Sequence, residues 1–197
     1  MMPEEHPLLP FLPEGASIMM LGSFPPQRKR WQMNFYYPNF QNDMWRIFGG
    51  IFFDDTDYFL TVDKKSFDRE RIEALLVEKK IAVGDMAQSV VRQKDNASDK
   101  FLEIVEPVSP AFFLEQLPQL KAFVTTGQKA TDVFSALTGV RQPPVGGFSD
   151  FIFANRSLRL YRMPSSSRAY PMALVAKIKV YRIMFEELEV LISIGLK

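Results

Sequence analysis

Eleven residues, FYYPNFQNDMW from Phe35 to Trp45, interleave large aromatics with amides. Aromatics normally go inside a fold and asparagines outside. Flat faces on Tyr36 and Tyr37, beside the amides of Asn39, Gln41 and Asn42, suit a planar heterocycle held by stacking and edge hydrogen bonds. Two further stretches carry complementary groups. LGSFPPQRKR offers Gly22, Ser23 and Phe24 in a turn, followed by Arg28, Lys29 and Arg30. PSSSRA offers the hydroxyls and turn amides of Ser165, Ser166 and Ser167 beside Arg168, and GQKA offers Lys129. Serine-rich turns with nearby cations suit phosphates. Together these groups fit a nucleotide or nucleic-acid ligand. The same residues also fit a plainer account: a core aromatic cluster with capping amides, and a solvated loop at 27–30. Asp85 is a candidate second carboxylate, or a helix N-cap after a strand.

The whole-chain figures narrow the chemistry. Net charge is +1, so nucleic acid is not announced by bulk charge and any basic face must be local. Cysteine is absent, which removes disulfides, thiol nucleophiles and cysteine-bound zinc or iron–sulfur clusters. The single histidine, His6, lies in a Pro-rich N-terminal segment, so a His-based triad or multi-histidine metal site is excluded. Chemistry must rest on carboxylates, amides, hydroxyls, arginines or lysines. No cofactor and no metal is expected. MMPEEHPLLP lacks a basic leader, and the apolar stretch 173–194 is broken by six charges. A soluble, cytoplasmic protein without a membrane span is expected.

The elements that must position these groups read as follows. The chain has 197 residues, 47% of them hydrophobic, which suits one domain (1–197) with a full core. ASIMMLG, IAVGD and AFVTTG read as buried strands. DMWRIFG reads as a short helix stopped by Gly49. Ser66 is read as the cap of a helix reaching about Lys79. Ser109-Pro110 makes an N-cap and first-turn pair for a helix over AFFLEQL. Another helix starts at Gln128 and stops at Gly139. FIFA and LRLYRMP read as two strands turning at Asn155-Arg156, and a long helix closes the chain. Alternating strands and helices predict an α/β fold with a mostly parallel central sheet in three layers, α/β/α. Strands ending at Gly22, Gly127 and Pro164 would share one sheet edge. In open α/β folds, ligands bind outside the carboxyl ends of the strands. The three candidate loops would then face one crevice.

LGSFPP, YYPNFQNDMW and MPSSSRA together resemble the uracil-DNA glycosylase superfamily, nearest its hypoxanthine-DNA glycosylase branch. That branch carries G-S-x-P-G after its first strand, then Y-Y-x-x-P-x-N-x-F-W, and ends on P-S-T-S-P-A-N. Gly22, Ser23 and Pro25 match the first motif. Tyr36, Tyr37, Asn42 and Trp45 match the second in order and spacing. Pro164, Ser165, Ser167 and Ala169 match the third. IAVGDM and VTTGQKA resemble two further motifs of the branch, so the likeness spans nearly the whole chain. Pro26, Phe40, Met44, Gly84 and Arg168 depart from the pattern.

The resemblance implies excision of a deaminated base, hypoxanthine or uracil, from DNA by a monomer. A target base must leave the stack before its glycosidic bond can be reached. It would lie against Tyr37 or Tyr36, in a pocket with Gly22, Ser23 and Phe24. Much of the superfamily places a water with an Asp or Asn in the first motif, where this chain has Phe24. In the hypoxanthine branch that task falls to the second-motif asparagine, here Asn42. Its amide positions rather than deprotonates, so catalysis would be mainly electrostatic and geometric. Arg28, Lys29, Arg30, Lys129 and Ser165–Ser167 would grip the DNA. Arg168 is placed either to wedge the gap left by the flipped base or to serve as a plain phosphate or surface charge. Two alternatives stand beside this reading: a relative that only binds nucleic acid or a nucleotide, and an unrelated small-molecule enzyme.

Overall fold

The computed structural model describes residues 2–93 and 101–191. Its centre is a five-stranded sheet of β2 (Ile18–Gly22), β3 (Ile81–Asp85), β6 (Ala122–Thr126), β7 (Phe148–Phe153) and β8 (Arg156–Met163), in the order β3-β2-β6-β8-β7. β3, β2, β6 and β8 run parallel, and β7 is an antiparallel edge strand. Every residue of β2, β3 and β6 is buried, as a parallel sheet covered on both faces requires.

Alternation along these strands feeds two cores. Ile18, Met20, Val83, Val124 and Tyr161 face one side. There they meet α1 (Met44–Phe52), α2 (Arg69–Glu78) and α5 (Leu174–Glu187) through Phe48, Leu76 and Phe185. Met19, Leu21, Ala82, Phe123 and Leu160 face the other side. There they meet α3 (Pro110–Gln116) and α4 (Gln128–Thr138) through Phe113 and Phe134. The result is the three-layer α/β/α fold expected from the alternation of elements.

Several local readings change. The first helix does not stop at Gly49 but runs on to Phe52. Gly49 is there for close approach instead: a Cβ on it would lie 2.3 Å from the Asp55 carbonyl oxygen. The cap of α2 is Asp68, whose carboxylate accepts from the Arg71 amide, rather than Ser66. No helix follows Asp85. The chain enters β4 (Ala87–Arg92), which pairs antiparallel with β1 (Glu4–Glu5) and with β5 (Leu102–Pro107). This second, three-stranded sheet was not anticipated. Its β1–β4 pairing links residues far apart in sequence, and no periodicity in the short N-terminal segment announces it.

Other readings hold, except that the strand turn expected at Asn155-Arg156 lies one residue earlier, because Arg156 already pairs with Phe153. Ser109 caps α3 by accepting from the Ala111 amide, with Pro110 in the first turn. β7 and β8 form a hairpin whose two turn residues, Ala154 and Asn155, both have positive φ. That backbone matches the twist of the flanking strands.

Candidate active site

β2, β3, β6 and β8 end at one edge of the sheet, at Gly22, Asp85, Thr126 and Met163. The connections leaving that edge enclose a crevice of about 720 Å³, the size of a small-ligand site. The turn after β2 lines it with Gly22, Ser23 and Phe24, and β3 with Asp85. Tyr37, Asn39, Gln41 and Asn42 come from the aromatic stretch, Lys129 from the start of α4, and Ser165 to Arg168 from the loop after β8. The three loops singled out in the sequence therefore do face one crevice.

The aromatic stretch divides its labour. Phe35, Tyr36 and Trp45 are core residues, and the Trp45 indole donates to the Tyr36 carbonyl at 3.0 Å. Tyr36 was expected against the base. It is instead 3% exposed and sits behind the crevice, with its ring stacked on His6 at 5.9 Å. Burial, with the Asp85 carboxylate and Tyr37 nearby, holds its phenol well above the ordinary tyrosine range. Tyr37 adopts φ +51°, in the left-handed region. Its hydroxyl shares a 2.8 Å hydrogen bond with that of Thr126, and its ring lines the crevice.

Asn42 lies at the entry to α1. Its Oδ1 accepts from the Met44 amide at 2.9 Å, and its backbone bridges to Ser167. The bond fixes which end of the amide is oxygen. One lone pair of Oδ1 serves the helix terminus, and the second lone pair and the NH2 group remain for a ligand or water. Asn42 is thus held in one orientation at the crevice wall.

Beneath Asn42 lies a buried ionic knot. Lys177 of α5 is fully buried, and its Nζ donates to the Ser167 carbonyl at 2.7 Å and approaches Asp43 Oδ2 at 3.4 Å. Arg168 Nε meets Asp43 Oδ1 at 2.9 Å, and its NH1 donates to the Gln41 side chain. The Asp43 amide donates to the Ser166 carbonyl. The serine loop and the start of α1 are therefore locked together. Arg168 spends its guanidinium on that lock while staying partly exposed at the rim. The Ser165 and Ser167 hydroxyls accept from the Ser167 and Ala169 amides, so they shape the turn and keep their own protons to donate.

The basic run forms a short 3-10 turn, Arg28–Arg30. Only Arg30 of the three lines the crevice. Arg28 donates to the Asn34 side chain and stacks over Trp31 at 4.0 Å, and Lys29 lies outside the lining. Lys129 lines the crevice while its Nζ donates to the Leu102 carbonyl.

One residue at the site escaped sequence reasoning. His6 Nε2 lies 2.9 Å from Asp85 Oδ2, with the two side chains 6% and 7% exposed. The ring meets Phe24 edge-on at 5.1 Å. Nδ1 is 2.7 Å from the Leu8 carbonyl oxygen. Burial pulls the imidazole down, but the Asp85 hydrogen bond and charge and the Leu8 carbonyl outweigh it, so its pKa is raised. The other carboxylate oxygen, Oδ1, sits against Gly22, where a Cβ would come within 2.4 Å of it. A side chain at position 22 would displace the carboxylate, so only glycine fits. No sequence signal could pair residues 6 and 85: the N-terminal segment reaches Asp85 only by adding β1 to β4. Among the described residues, no cluster of His, Cys, Asp or Glu could hold a metal ion, and no helix is long and apolar enough to cross a membrane.

No protein-family model matches the chain, and no curated protein matches it. A solved structure does. The chain is similar to the solution NMR structure of "a putative Uracil DNA glycosylase from Methanosarcina acetivorans", with a TM-score of 0.64 and 21% identity. The match covers 95% of this chain and 99% of the other. The two share a fold. The match runs over almost the full length of both chains, so it takes in the sheet edge and the loops that build the crevice.

Proposed function

We propose that this protein is a monofunctional DNA glycosylase that hydrolyses the N-glycosidic bond of a deaminated base, hypoxanthine or uracil, in DNA. The observation that carries the reading is the convergence of Tyr37, Asn42 and Asp85 with the Ser165–Ser167 loop in one crevice at the strand ends. The similarity in fold to the archaeal structure supports it.

A base turned out of the helix would stack on Tyr37, with Phe24 closing the pocket. The Asp85 carboxylate would accept from an N–H on its edge. The serine loop and Arg30, with Lys129 nearby, would hold the phosphates either side of the extruded nucleotide. Asn42, oriented by the Met44 amide, would place a water against the sugar. The water oxygen bonds to C1′ as the C1′–N pair departs with the base. One water proton goes, in net terms, to the base. Asn42 is no base in the acid–base sense, so its contribution is positional. No cofactor enters this scheme, and a monomer supplies every group it names.

The test uses labelled oligonucleotides carrying uracil, hypoxanthine or xanthine, single- and double-stranded, read by alkaline cleavage at abasic sites. Excision that falls by about 10²-fold or more in Asn42→Ala supports the proposal. No excision of any base, with DNA still bound at low salt, would replace it by the binding-only reading. The Asn42 Oδ1 bond to the helix terminus is the observation that favours that second reading.

A further inference from the structure

Asp85 is the carboxylate that β3 carries into the crevice, and everything a base edge meets there depends on whether it presents an acceptor or a donor. Deamination changes that edge in two places: an exocyclic amino donor becomes a carbonyl acceptor, and a ring nitrogen lone pair becomes an N–H donor, which is the change a carboxylate reads. Cytosine and adenine present a ring nitrogen lone pair where uracil and hypoxanthine present a ring N–H. A carboxylate that only accepts fits the deaminated edge and opposes the undamaged one, whereas a protonated carboxyl fits both. A site that leaves a buried polar group unpaired rejects the wrong ligand strongly.

The structure provides a group to enforce the accepting form. Oδ2 is taken by His6 Nε2 at 2.9 Å, which leaves Oδ1, the oxygen beside Gly22, as the one turned toward the crevice wall. The Nδ1 atom of His6 faces the Leu8 carbonyl oxygen at 2.7 Å. The Leu8 amide also reaches Nδ1, at 3.1 Å, so Nδ1 meets both a donor and an acceptor of Leu8, and in either case the proton that serves Asp85 is the one on Nε2. The charged groups around it are few. Asp85 comes from β3, and Tyr36 and Tyr37 from the aromatic stretch. Glu4 and Glu5 come from its own segment, with Arg92 of β4 paired to Glu4. Asp85 is the one in contact with the ring nitrogens.

We propose that His6 is a specificity-determining positioning residue: by donating to Asp85 Oδ2 it keeps Oδ1 an acceptor and so restricts the pocket to bases bearing a ring N–H. This rests on the glycosylase reading, in which Asp85 meets the base edge. The pairing has a second effect. A lone carboxylate beside the departing base would repel the negative charge that develops on it. When His6 is protonated the imidazolium–carboxylate pair is neutral overall, which removes that repulsion.

The experiment compares wild type, His6→Ala and His6→Gln in two assays between about pH 6 and 9. One is binding of 9-methylhypoxanthine and 9-methyladenine, free bases whose N9 is blocked as it is in DNA, read by NMR line shifts. The other is excision of hypoxanthine and adenine from oligonucleotides. In wild type, hypoxanthine binds the better of the two. Without its donor, nothing holds the carboxyl in its accepting form. His6→Ala then loses at least about tenfold of the hypoxanthine preference. His6→Gln, which keeps an N–H donor, holds the preference throughout. A preference in His6→Ala equal to wild type at every pH overturns the proposal. So does an equal, pH-independent loss in both variants, since that reports only undocking of the N-terminal segment. Absence of free-base preference in wild type overturns it too. Free-base preference that follows this pattern without any excision retains the role of His6 and sinks the glycosylase reading instead.

Discussion

Replacing Lys177 with methionine tests whether the buried knot holds the site together. The amine is completely enclosed, 2.7 Å from the Ser167 carbonyl, 3.5 Å from that of Ser166 and 3.4 Å from Asp43 Oδ2. Methionine keeps the apolar stem and removes the charge. Removing one partner of a buried pair costs about 3–5 kcal/mol, because the other charge is stranded. Asp43 would keep Arg168 Nε at 2.9 Å, and Arg168 is partly exposed, so the lower end, about 3 kcal/mol, applies. With a urea slope of about 2 kcal/mol per molar, the unfolding midpoint falls by about 1.5 M. Adding Asp43→Asn removes the stranded carboxylate, so the double variant is more stable than the sum of the single losses by at least about 1 kcal/mol. The assay is urea unfolding followed by tryptophan fluorescence, since Trp45 lies two residues from Asp43 in the first turn of α1. A midpoint shift below about 0.3 M, the scale of a surface substitution, would refute the reasoning. A strictly additive cycle would do the same.

Other outcomes follow from single contacts. Gly49→Ala drives a methyl against the Asp55 carbonyl oxygen and is expected to cost about 1–3 kcal/mol in thermal unfolding; an unchanged melting temperature would contradict that packing. Arg30→Ala should weaken DNA binding evenly across sequences and reduce the salt slope by about 1, whereas Arg28→Ala, already engaged with Asn34 and Trp31, should change it less. The raised pKa of His6 makes its docking pH-dependent. The added stability is full below the unfolded-state value near 6.5 and is lost as pH rises through the folded value. The stability gap between wild type and His6→Gln should therefore be larger at about pH 6 than at about pH 9, and a gap that widens with pH would reverse the assignment.

The sequence by itself determined the main elements of the central sheet and of the helical layers on it. IMMLG, IAVGD and AFVTT are too short and too uniformly apolar for surface helices. The Ser109-Pro110 pair starts a helix by local geometry alone, and the alternation of strand and helix sets a parallel sheet whose exit loops share an edge. That was enough to bring Gly22, Tyr37, Asn42 and the serine loop to one crevice before any contact was known. What only the tertiary structure decided was which of two adjacent tyrosines faces that crevice, which charges are spent and which are available, and what stands behind Asp85. Tyr36 packs inward against His6 and Phe35, while Tyr37, with its positive φ, lines the crevice. The Asp43 carboxylate claims Arg168 and Lys177 across more than 120 positions of chain. His6 reaches Asp85 across 79 positions through a strand pairing that leaves no mark in either local sequence. Periodicity and turn chemistry are local and can be read from neighbours. The partner of a buried charge is set by chain closure, and it exists only once the sheets have formed.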